Sequence, residues 1–188
     1  MSNLMEKSKT KSWANLGKNR FQTFDTALGL CGIVWRDEGI CHMQLPEKNS
    51  KALLAKLQSL AEQGTSGKEP AFVRRAIKKV KAYLDGQPQD FSGTPLDLSQ
   101  VPPFHRKVYQ ALQQVPPGNV TTYGELAEMA GSPLAFRAVG QAMARNPLPI
   151  LVPCHRVLAS AGKLGGFSSF GGLATKIRLL DLESGEKQ

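Results

Sequence analysis

The stretch TTYGELAEMAGSPLAFRAVGQAMARNPLPILVPCHRVL, residues 121–158, decides how the second half of the chain folds. Its first part is typical of a short helix. Thr122 and a glutamate three residues later fit a capping box, so we expect Tyr123 to be the first helical residue. Gly131 fits the position just after the last turn of that helix. A second helix follows closely, and the pair resembles a helix-turn-helix.

The second helix of this pair carries unusually small side chains. We expect it to start at Ser132 and Pro133, which fit an N-cap and a first-turn residue. Alanines and glycines then dominate, with Arg137 among them. A helix without long polar side chains reads no base sequence, but its backbone can approach a narrow groove closely. Tight helix packing in the core explains the same pattern, and this segment alone favours that alternative.

The apolar run at the end of the stretch, residues 149–158, places Cys154, His155 and Arg156 side by side. The run is otherwise typical of a buried strand. A lone buried cysteine is usually a small apolar side chain, whereas a catalytic cysteine needs a neighbouring base or cation. Neighbours on a strand point to opposite faces, so a direct bond between thiol and imidazole is awkward. We therefore expect either a sharp bend here or a water that relays the proton.

A candidate third member of this group lies in GLATKIRLLDLESG, residues 172–185, which predicts a last helix. The expected inward positions are Leu173, Ile177 and Leu180. Glu183 follows at the next helical step, where a carboxylate needs a partner or a frayed helix end. A buried histidine is a natural partner. Cys154, His155 and Glu183 would then form a nucleophile, a base and an orienting carboxylate, although an exposed glutamate and a structural histidine fit the spacing equally well.

Composition narrows the class of protein further. The chain has 188 residues, enough for one ordinary domain with a small appendage, and its apolar runs are far too short for a membrane span. The formal net charge is +9, which suits a polyanionic partner such as nucleic acid, although solubility explains it equally well. The first 20 residues lack the apolar core of a signal peptide. Three scattered cysteines are typical of reduced thiols in a cytoplasmic protein.

The chain divides into four predicted regions. Residues 1–20 form a basic flexible tail, residues 21–90 a small α/β domain, residues 91–102 a linker, and residues 103–185 a mainly helical domain. Within the α/β domain, two apolar runs around a charged turn closed by Gly39 predict a hairpin, and two amphipathic helices follow. The inward positions expected for the second of these helices are Phe72, Ile77, Val80 and Leu84. Its outer face is basic, which is typical of a solvated surface.

Several motifs in the same order carry a family resemblance. NPLPILVPCHRVL, preceded by TTYGELAEMAG and RAVGQAM and followed by the spaced pattern GGL, K, LL and LE, resembles the O6-alkylguanine-DNA alkyltransferases. These are also called methylated-DNA–protein-cysteine methyltransferases. The likeness covers about residues 90–185, and Pro-Cys-His-Arg is the active-site signature of the family.

The resemblance implies both a fold and an activity. The fold is α+β, with a small ribonuclease H-like α/β domain before a helical domain that holds the helix-turn-helix and the active-site cysteine. The activity is DNA repair, in which the alkyl group of O6-methylguanine, and of O4-methylthymine, moves irreversibly from duplex DNA to Cys154. Each molecule acts once, with the base flipped out of the duplex. The resemblance further implies a monomer with no cofactor and no membrane association.

The resemblance also implies catalytic roles for single residues. Cys154 corresponds to the acceptor, while His155 and Glu183 correspond to the base and its orienting carboxylate, with a water between thiol and imidazole. Asn146 corresponds to the residue that braces the turn before the active-site cysteine. Tyr123 corresponds to the residue that contacts the target nucleotide's phosphate and protonates the departing guanine.

Contacts to DNA and to the target base are implied in the same way. Arg137 corresponds to a finger that fills the gap left in the base stack, and Ala138 and Gly140 correspond to small residues against the minor groove. Thr122 is expected to contact DNA beside Tyr123. The guanine pocket is expected to be lined by Met143, Val157, Pro149 and Ser169.

Metal binding, lesion binding without transfer and hydrolysis each need residues or motifs that can be checked in the sequence. Cys31, Cys41 and His42 do not form a four-ligand set with standard spacing, so we expect no metal. A non-catalytic protein that only binds alkylated guanine usually replaces the acceptor cysteine with tryptophan, and this chain keeps Cys154. A cysteine hydrolase with the same three side chains needs an oxyanion hole and an acyl substrate, and the sequence contains no motif for either.

Overall fold

The first half of the chain builds a small sheet with two helices. The computed structural model describes residues 19–61, 63–64 and 69–185, so the predicted basic tail lies outside the described residues except for its last two. The elements of this half, in chain order, are strands β1 (Arg20–Thr26), β2 (Gly29–Arg36) and β3 (Gly39–Gln44), helix α1 (Ser50–Leu60), strand β4 (Gln63–Gly64) and helix α2 (Ala71–Leu84).

The sheet has the strand order β3-β2-β1-β4. The antiparallel pairing of β2 with β3 confirms the predicted hairpin. Strand β2 is buried on both faces: Cys31 and Ile33 belong to the main core, and Val34 packs with α1. A Cβ at Gly32 would collide with the Leu57 side chain of α1, so a glycine here lets the helix lie close to the sheet.

Helix α2 turns the predicted residues toward the core, but not all of them are fully buried. Phe72 and Ile77 are only half-buried, while Val80 and Leu84 are buried as expected. The buried side chains of α2 are Val73, Ala76, Val80, Tyr83 and Leu84. Phe72 and Ile77 nevertheless pack against the main core, as the prediction required. The prediction did not include Val73, Ala76 and Tyr83, which are fully buried.

The second half is mainly helical. In chain order its elements are helix α3 (Pro103–Leu112), strand β5 (Thr121–Thr122), helices α4 (Tyr123–Met129) and α5 (Phe136–Ala144), a 3-10 turn (Cys154–Arg156), strand β6 (Val157–Leu158), a 3-10 turn (Ser160–Gly162) and helix α6 (Gly172–Ser184). One continuous core joins these helices to the sheet, which confirms the predicted α+β class. No helix within the described ranges is long and apolar enough to cross a membrane.

The start of helix α4 agrees with the prediction, whereas the start of helix α5 does not. The capping box is present, because the Glu125 amide donates to Thr122 Oγ1 at 3.2 Å and the Thr122 amide donates to the Glu125 carboxylate at 2.7 Å. Gly131, with φ +73°, follows α4 as expected.

The predicted start of α5 was wrong. The helix begins at Phe136 with Ala135 as its cap, three residues later than expected. The Ala135 amide instead donates to the Ser132 carbonyl at 2.9 Å, which closes a β-turn. Pro133 takes the second position of that turn, which its fixed φ favours.

Helix α6 also turns a face inward that the sequence did not predict. Leu173 is 46% exposed and Ile177 is 39% exposed, whereas Lys176 and Leu179 are fully buried. The Glu183 side chain, one helical turn beyond Leu179, is only 2% exposed. The prediction failed because it assigned the apolar residues to the core, while this helix buries charged groups that have partners there.

The segment around Cys154 forms a bend rather than a long strand. Cys154–Arg156 is a single 3-10 turn, and only Val157–Leu158 pairs as a strand, parallel to β5. Of the two expectations for this segment, the sharp bend is therefore confirmed. Because of this bend, Cys154 lines a cavity while its neighbour His155 points to a buried carboxylate.

Candidate active site

Cys154 lies at a cavity of about 420 Å³, a size typical of small-ligand sites. Cys154 as a whole is 8% exposed. The cavity is lined by Tyr123, Gly140, Met143, Ala144, Cys154, Gly166, Phe167 and Ser168. Helices α4 and α5 thus form one wall and the loop before α6 forms another. Cys154 thus lies between these two walls.

Asn146 holds the chain that leads to Cys154. Its amide nitrogen donates to the Val152 carbonyl at 2.9 Å, and its amide oxygen accepts from the Leu148 amide at 3.0 Å. Between these anchors, Ile150 adopts φ +73°, a strained conformation for a β-branched residue. The Asn146 side chain therefore stabilises a turn that the backbone alone would disfavour.

The His155 ring is completely buried and oriented by a carboxylate. Its Nε2 lies 2.8 Å from Glu183 Oε1 and 3.1 Å from the Tyr83 hydroxyl. An ionised carboxylate only accepts hydrogen bonds, so Nε2 carries the proton and Nδ1 keeps a free lone pair. Burial lowers the pKa of His155, although the bond to Glu183 opposes this shift. The ring is therefore neutral near pH 7 and is suited to act as a base at Nδ1.

The thiol and the imidazole are neighbours without a direct hydrogen bond. Both contacts of Nε2 are to other groups, and Nδ1 is buried with no hydrogen-bond partner in the described part of the chain. Burial raises the pKa of Cys154, and the Asn146 side chain and the Lys176 charge only partly offset this effect. The resting group is therefore a thiol, which needs a base to become a nucleophile.

The Glu183 carboxylate accepts hydrogen bonds from residues that are far apart in the sequence. Arg156 grips it through Nε at 2.9 Å and Nη2 at 2.8 Å, and the Gly118 amide donates at 3.1 Å. Burial by itself would raise the pKa of Glu183, but the hydrogen bonds from His155 and Arg156 hold it well below the usual carboxyl range. The carboxylate stays ionised, and Arg156 balances its charge at close range.

Tyr83 is a site residue that sequence reasoning missed. Its hydroxyl donates to Glu183 Oε1 at 2.7 Å and lies beside His155 Nε2. Burial and the Glu183 charge raise the pKa of Tyr83, so the hydroxyl remains a donor. The available signal was its position three residues after Val80 on α2, since a buried tyrosine hydroxyl usually finds a polar partner.

Lys176 is the second missed residue. It is fully buried on α6, and its ammonium donates to the carbonyls of Val157, at 2.6 Å, and of Leu164. Burial lowers its pKa below the ordinary lysine value. These bonds tie the strand after Cys154 to the loop that closes the cavity. A buried lysine is rare, and here it fixes the shape of the site.

The residues predicted to contact DNA lie on the outer side of the helix pair. Arg137 is exposed in the first turn of α5, and Ala138 and Thr122 are half-buried. Gly140 borders the cavity, and a Cβ built on it would meet no atom within 4 Å. The backbone of α5 is therefore open to close approach at this point.

Of the four residues predicted to line the base pocket, one lines the cavity at Cys154 and three do not. Met143 lines the cavity. Val157 and Pro149 are buried and are not part of its wall. Ser168 contributes to the wall where Ser169 was expected.

The described residues contain no group of three or more His, Cys, Asp or Glu side chains placed to hold a metal ion. Cys31 is instead buried beside Thr26, and burial raises its pKa to about 11. His42 contacts Gln44, and Cys41 contacts a backbone carbonyl of β2.

Comparison with known proteins gives a consistent result. The family model for the DNA-binding domain of 6-O-methylguanine DNA methyltransferase matches residues 103–185. A methylated-DNA–protein-cysteine methyltransferase of Mycolicibacterium paratuberculosis is 36% identical over 163 residues, which are 87% of this chain and 91% of the relative. A constitutive enzyme of the same name from Bacillus subtilis is 36% identical over 168 residues, or 88% and 95% of the two chains.

Solved structures agree with the sequence relatives. The O6-methylguanine methyltransferase of Mycobacterium tuberculosis superposes with a TM-score of 0.72 at 30% identity, covering 90% of this chain and 95% of that one. The complex of the same organism's OGT with DNA gives a TM-score of 0.70 at 31% identity, covering 88% and 93%. Fold and site thus define the class of O6-methylguanine methyltransferases. The chain belongs to the methylated-DNA–protein-cysteine methyltransferase family, which confirms the predicted resemblance.

Proposed function

We propose that this chain repairs DNA by moving an alkyl group irreversibly from O6 of guanine, or O4 of thymine, in duplex DNA to Sγ of Cys154. The observation that carries the proposal is the position of the thiol. It lies in the cavity between the helix pair and the loop before α6, and the neutral His155 ring stands behind it with Glu183 as its orienting group.

The chemistry is a single displacement. The sulfur forms a bond to the alkyl carbon while the bond between that carbon and O6 breaks, and guanine leaves as an anion. The thiol proton passes to His155 Nδ1 through a relay, since the two groups share no direct hydrogen bond. The imidazolium that forms is stabilised by Glu183, whose low pKa keeps it charged.

The leaving base needs a proton donor. Tyr123 borders the cavity, and burial raises the pKa of its hydroxyl, so it stays protonated at neutral pH. A donor near O6 lowers the barrier because negative charge develops there in the transition state. The thioether product has no hydrolytic route in this mechanism, so each molecule acts once.

Access to O6 requires extrusion of the nucleotide, because the atom lies inside the duplex. We propose that Arg137 fills the gap in the stack, and that Ala138 and Gly140 allow α5 to lie in the minor groove. The exposed guanidinium and the open space at Gly140 support these roles. The net charge of +9 supplies affinity that does not depend on sequence, as repair at any site requires.

The wider setting of the protein follows from this role. We propose that it works as a monomer wherever the DNA is kept, in the cytoplasm and nucleoid of a bacterium or in the nucleus of a eukaryote. We also propose that residues 21–90 and 103–185 act as two domains, with residues 91–102 as the linker between them.

Transfer and binding can be separated by one substitution. We expect Cys154→Ala to abolish methyl transfer from duplex DNA containing O6-methylguanine while gel-shift affinity for that duplex stays within about twofold, because the binding surface is α5 and not the thiol. Cys41→Ala is the matched control, since Cys41 is a half-buried thiol on β3, and it should keep both properties. Transfer that survives in the Cys154 variant would contradict the proposal.

A further inference from the structure

Two large apolar side chains are exposed on either side of the start of α5. Leu134 is 91% exposed and Phe136 is 50% exposed. Only Ala135, the N-cap residue of α5, separates them, and the exposed Arg137 directly follows Phe136. An apolar pair beside a guanidinium is therefore presented to the outside on the face of the helix pair.

The fold does not require apolar residues at these two positions. Leu134 occupies the third position of the β-turn closed between Ser132 and Ala135, where polar residues and glycine serve well. Helix α5 is held to the core by Val139, Ala142 and Met143. Neither exposed side chain belongs to the main core or to the small cluster under α1.

Phe136 also contacts the side chain proposed to enter the base stack. The guanidinium carbon of Arg137 lies 5.9 Å from the centre of the Phe136 ring, within the range of a cation–π contact. The ring therefore limits the directions in which the guanidinium points before DNA is bound. A side chain that is already partly ordered loses less freedom on insertion.

We propose that Leu134 and Phe136 form an apolar wedge that enters the minor groove of duplex DNA with Arg137 and packs on the bases and sugars beside the extruded nucleotide. Leucine and phenylalanine are among the side chains that proteins insert at unstacked base steps from this groove. Extrusion of a nucleotide widens the groove and uncovers apolar base faces. The wedge covers those faces while Arg137 occupies the gap. This inference rests on the proposed role of Arg137 and extends it to its neighbours.

The position of the wedge and the charge beside it both favour DNA as the partner. The wedge adjoins Arg137 and lies within residues 103–185, the range matched by the DNA-binding family model. A cation set among apolar side chains fits a ligand that combines phosphates with flat apolar rings, which is the chemistry of a nucleic acid opened at one base. A second copy of this chain, which carries a net charge of +9, would meet repulsion here.

The test compares two substrates and three sets of variants. Rates of methyl or benzyl transfer are measured with duplex DNA containing one O6-methylguanine and with free O6-benzylguanine, which needs no extrusion. The wedge variants are Leu134→Ala, Phe136→Ala and the pair combined, and Phe136→Trp retains an aromatic face. Leu54→Ala and Leu173→Ala are matched controls, because these leucines are 38% and 46% exposed on α1 and α6. Arg137→Ala is measured in parallel.

We expect the double variant to slow transfer from duplex about 5- to 20-fold, as loss of one base–aromatic stack would. Transfer from the free base should change less than about twofold, since the wedge does not line the cavity. Phe136→Trp and both leucine controls should resemble the unmodified protein. A 2-aminopurine placed next to the lesion should brighten less on binding of the double variant, because fewer bases unstack.

Several outcomes would overturn the wedge. Equal slowing on both substrates would mean that the cavity is damaged, and no slowing on duplex would mean that DNA does not contact these residues. Self-association of the unmodified protein without DNA, lost in the double variant, would assign the patch to a second copy. A duplex-specific loss in Arg137→Ala alone would keep the proposed function and remove the wedge. Absence of any transfer by the unmodified protein would instead remove the proposed function.

Discussion

Replacement of Gly140 by alanine should make the protein more stable and less able to use duplex DNA. Gly140 is the fifth of nine residues in α5, and a Cβ there meets no atom within 4 Å. Glycine inside a helix is less favourable than alanine by about 0.5–1 kcal/mol. With no steric penalty to offset that gain, the melting temperature should rise by about 1–4 °C for a chain of this size.

The same methyl group should hinder the approach of DNA. Gly140 borders the cavity of Cys154, so its missing side chain leaves the helix backbone open at the entrance. An added methyl in a close contact costs about 1–3 kcal/mol, so affinity for a duplex containing O6-methylguanine should fall roughly tenfold. The added methyl group would thus raise the melting temperature and lower the affinity for duplex DNA.

The assay pairs a thermal melt with fluorescence anisotropy titration of labelled duplex at fixed salt. Gly131→Ala is the matched control, because its Cβ also meets open space but its φ is +73°. That variant should be destabilised by about 1 kcal/mol, since alanine disfavours the left-handed region. A lower melting temperature for Gly140→Ala would contradict the predicted gain in helix stability, and unchanged duplex affinity would show that DNA does not approach α5 closely at this position.

Three further predictions concern the groups behind the thiol. Tyr83→Phe removes a hydrogen bond to the charged Glu183, so transfer from O6-benzylguanine should slow about 5- to 20-fold at unchanged duplex affinity, as stopped-flow and gel-shift measurements would show. The rate of transfer should depend on the neutral form of His155 as the base. Because burial lowers the pKa of His155, the rate should persist as the pH falls through 6.5 and should decline only at lower pH. A midpoint above pH 6.5 in the rate profile would contradict this assignment. Lys176→Met leaves the carbonyls of Val157 and Leu164 without their donor, so urea denaturation should show a loss of about 2–4 kcal/mol, and an unchanged midpoint would show that these bonds contribute little.

The sequence predicted best where the deciding forces are local. The hairpin and the capping box at Thr122 depend on residues within a few positions of one another, and both are confirmed. The start of α5 was wrong because Pro133 suits either a first helical turn or a β-turn, and local preference does not separate them.

The partners behind Cys154 were harder to predict for a physical reason. Glu183 does lie beside His155. The spacing alone left an exposed glutamate equally open, and two of the residues that defined its inward step, Leu173 and Ile177, are exposed, so the family resemblance decided this assignment. Tyr83 and Lys176 were missed because the helical faces were assigned by hydrophobicity alone. Tyr83 meets Glu183 across 100 positions of sequence, so only the packing of α2 against α6 reveals the contact. Apolar content does not identify the inward face of a helix that buries charged groups.

Irreversible transfer to Cys154 is tested most directly by the intact mass of the protein after incubation with excess duplex DNA that carries one O6-methylguanine. The mass should increase by one methylene per chain and stop at one equivalent, and peptide analysis should map the gain to Cys154 and to neither Cys31 nor Cys41. An unchanged mass despite tight binding of the lesion, or turnover beyond one equivalent, would contradict the assignment of Cys154 as an irreversible acceptor.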